Sequence, residues 1–141
     1  MGFKMTTRAA VGILVDDAGR LLFAQRSNRV QTFPGQWEFP GGALENNEDF
    51  EEGLRRELYE ELGVTLHRKP QLLRTSRHFD DRGQEWLVRS YVCRYSGATP
   101  QPQEPEKCTQ IAFCSPSAPP APLIDAAKGD LSKYCHTMQD R

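Results

Sequence analysis

Apolar positions along the chain recur with two periods. Thr7 to Val15 is apolar and β-branched, and Leu21 to Arg26 follows the turn signal Asp16-Asp17-Ala18-Gly19, so two strands are predicted. Ser27 to Gln36 reads as a polar loop, and Trp37 to Phe39 as a short strand. Val64 to Leu66 and Gln71 to Phe79 read as extended. Asp80-Asp81-Arg82-Gly83 reads as a hairpin turn before a strand at Glu85 to Tyr95. Ser96 to Lys107 carries Pro100, Pro102 and Pro105 and is predicted to be a long loop, with a last strand at Cys108 to Cys114. Four prolines exclude helix from Ser115 to Pro122. Leu123 to Tyr134 is predicted to form a closing helix, weakened by Gly129 and Asp130.

The helical period is clearest from Asp49 to Leu62. Asp49 is a capping residue with Glu52 three positions later, the spacing of a capping box, and Gly63 suits a left-handed end. Phe50, Leu54, Leu58 and Leu62 form one apolar stripe. At about 100° per residue, with Leu54 at zero, the stripe runs from about −40° to about +80°. Glu61 falls near −20°, inside it; Glu57 falls near −60°, on its margin; Glu60 falls near −120°.

A carboxylate aimed at a core edge must be paired, protonated or bound to a cation. Carboxylates at i, i+3 and i+4 also repel one another. A divalent cation relieves both costs, and oxygen-only ligands select Mg²⁺ or Mn²⁺. Mg²⁺ also bridges phosphate oxygens, so a phosphate-bearing small molecule is the natural partner. The competing reading is a solvated acidic helix pairing with Arg55 and Arg56. The approach Trp37-Glu38-Phe39-Pro40-Gly41-Gly42 weighs against it, because two glycines let backbone come close to a ligand. Gly53, inside the helix, either makes room for water or a neighbouring loop or is a tolerated defect costing roughly 1 kcal/mol.

At 141 residues, 38% hydrophobic and 26% charged, the chain suits a single domain over residues 1–141. Residues 1–6 are expected to be a tail, with Met5 a second candidate start. A net charge of −1 implies no large basic surface, so no nucleic-acid partner is expected. There is no apolar run long enough for a membrane span, and the N-terminus lacks the apolar region of a signal peptide. Cys93, Cys108, Cys114 and Cys135 form no C-x-x-C pair, which suits reduced, mostly buried thiols in a cytoplasmic protein, either monomer or homodimer.

Gly42 to Val64 spells G-x5-E-x7-R-E-U-x-E-E-x-G-U, where U is aliphatic: Gly42, Glu48, then Arg56-Glu57-Leu58 and Glu60-Glu61, then Gly63-Val64. This is similar to the Nudix box, with no departure, and the box covers 23 of the 141 residues. The resemblance implies an α+β Nudix fold, an α/β/α sandwich around a mixed β-sheet. It implies hydrolysis of a pyrophosphate linkage in a nucleoside diphosphate attached to another group, with Glu57, Glu60 and Glu61 as catalytic metal ligands. A backbone carbonyl of Gly41 or Gly42 would join them, and Glu48 and Arg56 would form a structural ion pair; Glu48 could instead approach a metal.

Outside the box, Gln36 to Gly42 resembles the loop of MutT-type nucleoside triphosphate pyrophosphohydrolases. Glu104-Pro105-Glu106-Lys107-Cys108 resembles a run that precedes the last strand in a triphosphate diphosphatase subgroup. No proline stands about fifteen residues past the box, where ADP-ribose subtypes often carry one; Phe79 is there instead. The expected products are nucleoside monophosphate and pyrophosphate. Other linked diphosphates (nucleotide sugars, ADP-ribose, dinucleoside polyphosphates) are the first alternative, and a non-catalytic nucleotide sensor the second. Candidate substrate contacts are Arg26 for phosphate, Phe39, Phe79 and Trp86 for stacking on a base, and Glu106, with Glu104 in the same loop, for reaching the metal site. Each has a plain structural reading as strand-end cation, core aromatic or exposed loop acid.

Overall fold

The computed structural model describes residues 5–139. The expected tail lies partly outside them; of what is described, Met5 is exposed and Thr7 opens the first strand. The element order is β1 (Thr7–Val15), β2 (Leu21–Arg26), β3 (Trp37–Glu38), β4 (Gly41–Ala43), α1 (Phe50–Leu62), β5 (Gln71–Phe79), β6 (Glu85–Arg94), β7 (Cys108–Cys114) and α2 (Asp125–Gln139). The sheet is mixed, ordered β3-β2-β1-β6-β5, with β4 also on β1 and β7 on β2. β1 runs parallel to β6 over its whole length and antiparallel to β4 from Ala9 to Val11.

Strand alternation builds two cores. Ala10, Leu14 and Leu22 pack with Leu54, Leu58 and Leu62 of α1. Ile13, Val15, Leu21 and Phe23 pack on the opposite side with Ala127 and Tyr134 of α2. This is the α/β/α arrangement expected. Among the described residues no helix is long and apolar enough to cross a membrane. All four cysteines are free; Cys93 and Cys108 are buried, Cys114 and Cys135 partly so.

The box helix forms as its signals require. The Asp49 side chain accepts from the Glu52 N–H at 2.8 Å, Glu52 returns the bond, and Gly63 takes a left-handed φ of 69°. Phe50 anchors the first turn beneath the Arg89 guanidinium, 4.5 Å from its ring. A Cβ on Gly12 would stand 3.3 Å from Leu54 Cδ1, so α1 rides directly on β1. Gly53 makes room for a neighbouring loop: a Cβ there would meet Leu44 Cγ at 2.8 Å and Glu48 Oε1 at 3.0 Å. Arg56 then ties that loop down, donating to Glu48 at 2.8 and 2.9 Å and to the Ala43 carbonyl at 3.1 Å.

Three expectations change. Gly41-Gly42 continues into strand β4, because antiparallel pairing with β1 satisfies its backbone. Val64 to Leu66 joins no ladder; Val64 and Leu66 instead bury against α1. The closing helix starts later than expected and runs on to Gln139. Gly129 and Asp130, expected to weaken it, form a socket for Arg74 of β5. A Cβ on Gly129 would meet the Arg74 guanidinium at 2.6 Å. Arg74 donates to the buried Asp130 carboxylate at 2.8 Å and to the Ala126 carbonyl at 3.2 Å.

Gly129→Ala would gain about 1 kcal/mol from helix propensity alone. Here it should instead lose about 2 kcal/mol in urea denaturation, since it drives Arg74 off a buried partner. In an Arg74→Ala background the same change should stabilise; a gain in both backgrounds would refute the socket. Arg56 holds the Glu48 carboxyl down at about 2, against an ordinary value of 4.5. A depressed carboxyl stabilises the fold above its unfolded value and loses that contribution as pH falls toward 2. Glu48→Gln should therefore cost about 1–2 kcal/mol at pH 7, with the gap to the parent closing in melts taken toward pH 2.

Candidate active site

α1 lies across β1 and delivers its carboxylates to β4. Gly41 has a φ of 147°, and a Cβ there would meet the Ala10 carbonyl oxygen at 2.1 Å, so the position admits only glycine. Its N–H donates to Glu61 Oε2 at 3.3 Å. Gly42 leaves a void that the Glu57 carboxylate fills, 2.7 Å from where a Cβ would stand. Glu61 is thus carried inward, as its place within the apolar stripe predicts, while the Glu60 side chain stays 49% exposed.

Charge is badly balanced at this point. Burial raises the Glu61 carboxyl well above the usual carboxylate range, and Glu38 and Glu57 push it further. Burial also raises Glu57, although Arg56 opposes it. Glu38 is raised by burial too, despite the Arg26 guanidinium beside it. Glu104 adds to the pressure on Glu61. The strongest charged influences on Glu61 are therefore all carboxylates. The loop before β7 brings Glu104 there, because the Gln101 and Gln103 N–H groups bond to the Leu62 and Glu61 carbonyls at 3.1 and 2.7 Å.

Arg56 does more than pair with Glu48. It also donates to Glu57 at 3.0 Å and to Glu60 at 3.1 Å, bridging the loop and two of the box carboxylates. Among the described residues no three acidic, histidine or cysteine side chains stand as a ready metal cage. The donor set still fits a divalent cation: its atoms are all oxygens, and its crowded carboxylates are offset by Arg56 and, more weakly, by Lys107. A cation entering here would compete with Arg56 for Glu57 and Glu60.

Beside these groups opens a cleft of about 530 Å³. Gly41, Gly42 and Glu38 stand at one side, Phe79, Asp80 and Trp86 at another, and Ile124 to Ala127 of the α2 entry close it. Arg26 lines it, with its guanidinium bonded to Glu38 at 3.0 Å and to the Thr32 hydroxyl at 2.7 Å. Phe39 is 2% exposed and stacks on Phe23 at 4.8 Å, so it forms floor rather than an open stacking face. Phe79 is 68% exposed, and Trp86 donates its ring N–H to Asp80 at 2.9 Å. Glu106 does not line the cleft; its side chain is exposed, and its carbonyl accepts from Ser27 at 2.7 Å. In that loop it is Glu104, rather than Glu106, that acts on Glu61.

Sequence reasoning passed over Glu38, His78 and the first turn of α2. Glu38 lay within the quoted Trp37-Glu38-Phe39 run, where alternation places it opposite Trp37 and toward the cleft. The α2 contribution carried no local signal, since it depends on the main-chain tie between Trp37 and Pro122, whose N–H to carbonyl distance is 2.7 Å.

Comparison with known proteins agrees with this geometry. The NUDIX domain model matches residues 5–135. An 8-oxo-dGTP diphosphatase of Proteus vulgaris is 38% identical over 79 residues, which cover 56% of this chain and 70% of that protein. The nucleoside triphosphatase NudI of Escherichia coli is 42% identical over 62 residues, 44% of each chain, so the match spans less than half of that relative. A MutT NUDIX hydrolase from Burkholderia pseudomallei has the same fold in its crystal structure, with a TM-score of 0.83, 27% identity, and coverage of 92% of this chain and 98% of that one. The box helix over a glycine strand, the mixed sheet and the nearly full-length domain match together make this chain a member of the NUDIX domain family, a Nudix hydrolase.

Proposed function

We infer that the chain hydrolyses nucleoside triphosphates, standard or oxidised, to nucleoside monophosphate and pyrophosphate. The observation that carries this is the crowding of Glu57 and Glu61 on Gly41-Gly42 at the edge of a cleft with aromatic walls. The 8-oxo-dGTP diphosphatase and nucleoside triphosphatase names of two relatives support the substrate class. Nudix hydrolases use a divalent metal. Here Glu57, Glu60 and Glu61, with a carbonyl of Gly41 or Gly42, would hold Mg²⁺ or Mn²⁺. Once bound, that ion supplies charge neutralisation at the polyphosphate and a more acidic water.

The protein's own groups do the rest. Water adds to a phosphorus, the bond to the bridging oxygen breaks, and pyrophosphate leaves. The water's proton passes to a box carboxylate, Glu60 or Glu61. Arg26, fixed by Glu38 and Thr32, presents a cation to the phosphates from the cleft wall. The aromatic walls exclude water and hold the base.

Glu61→Gln should lower kcat/KM by on the order of 10³-fold with an unchanged circular dichroism spectrum. A loss below about tenfold would remove Glu61 from the chemistry. The substrate class is tested by ion-exchange analysis of products from triphosphates, oxidised triphosphates, ADP-ribose, nucleotide sugars and dinucleoside polyphosphates with Mg²⁺. Monophosphate with pyrophosphate, absent in Glu61→Gln, is the expected outcome. Turnover of linked diphosphates alone would overturn the triphosphate reading.

A further inference from the structure

The sheet under the cleft acts as a ruler. Gly42 pairs with Ala10, Ala10 with Arg89, and Arg89 with Thr75, so β4, β1, β6 and β5 lie side by side. Three strand spacings, about 14 Å, separate the glycines at the carboxylates from β5. An extended nucleotide spans such a distance from its phosphates to its base. If the phosphates lie at Gly41-Gly42, the base reaches β5 and the paired end of β6.

Among the polar groups lining the cleft, Arg77 pairs with Glu85 at 3.4 Å and Asp125 with Lys128 at 3.5 Å. The Asp80 carboxylate is taken by the Trp86 ring N–H at 2.9 Å and by the Arg82 and Gln84 N–H groups at 2.9 and 3.0 Å. Asp81 accepts from the Phe33 N–H at 3.0 Å, and Asp130 from Arg74. His78 differs. It lines the cleft, half-buried, directly across the ladder from Trp86. One ring nitrogen, Nε2, is anchored 2.7 Å from the Ser76 hydroxyl. The other nitrogen has no partner among the described residues. Burial and the nearby Arg74 lower the His78 pKa, against weaker pulls from Asp130 and Asp125. At neutral pH the ring is therefore an uncharged imidazole, held in place by its contact with the Ser76 hydroxyl.

We propose that His78, oriented by Ser76, is a specificity-determining residue that hydrogen-bonds the edge of the nucleobase at the β5 end of the cleft. Trp86 and Phe79 supply contact area that any base satisfies, because every base has a π-face. An anchored imidazole discriminates, because a base that cannot complement its open nitrogen leaves that nitrogen unpaired. The inference rests on the nucleotide reading of the cleft but not on which phosphate bond is cut.

The test compares the parent with His78→Ala, His78→Gln and Ser76→Ala. One readout is kcat and KM for triphosphates of the four common bases. The other is the dissociation constant of the four monophosphates, followed by tryptophan fluorescence and calorimetry. The parent should separate best and worst bases by about tenfold or more. His78→Ala should compress that range to about threefold, through KM and with kcat for the poorest base little changed. His78→Gln, which keeps a hydrogen-bonding edge, should retain part of the discrimination and guards against a folding defect in the alanine variant. Ser76→Ala should fall between. An unchanged ranking in His78→Ala, an equal loss for all bases, or a parent that binds all bases alike or none would overturn the assignment. A parent that cleaves no triphosphate, yet loses monophosphate discrimination with His78, would defeat the triphosphate reading and leave this one standing.

Discussion

Carboxylates pressed against backbone, with little water to solvate them, are the constraint around which this molecule is arranged. α1 drives Glu57 into the space left by the missing side chain of Gly42, and Glu61 against the N–H of Gly41. Nearby features serve that contact. Gly12 lets the helix close on β1, Gly53 lets the Leu44–Glu48 loop close on the helix, and Arg56 fastens the loop. The loop before β7 bonds to the last carbonyls of α1 and adds Glu104 to the same field. An ordinary core would be more stable without these charges. Their cost makes sense as preparation for a cation and the phosphates it accompanies.

The opposite face of the sheet carries the cleft. Ala9, Val11 and Val88 form an apolar floor, and Trp86 and Phe79 form its far wall. α2 closes the cleft with its first turn, and two ties hold it: the strand-like pairing of Trp37 with Leu123 and the Arg74 socket around Gly129 and Asp130. Residues far from the box in sequence thereby set the width of the cleft.

Much of this was legible beforehand, for physical reasons. A helix carries its own signals, so the Asp49 cap, the Gly63 end and the inward angle of Glu61 followed from spacing alone. The longer strands followed from β-branched runs between turn residues. What escaped detection depended on partners distant in sequence. Gly41-Gly42 has no strand propensity and becomes β4 only because β1 lies beside it. Gly129 and Asp130 look like helix defects until Arg74, on another element, fills the socket. Arg26 read as a free cation, but Glu38 and Thr32 hold it. Glu104 and Glu106 were indistinguishable in a proline-rich loop; main-chain bonds to α1 make the difference.

The void at Gly42 lets Glu57 reach the glycine strand, and the cation site proposed above depends on that contact. Calorimetric titration of Mg²⁺ into the parent and into Gly42→Ala tests it directly. A methyl there would displace the Glu57 carboxylate, so binding should weaken by about tenfold or more, with the metal-free melting temperature nearly unchanged. Equal affinity in both proteins would contradict the account.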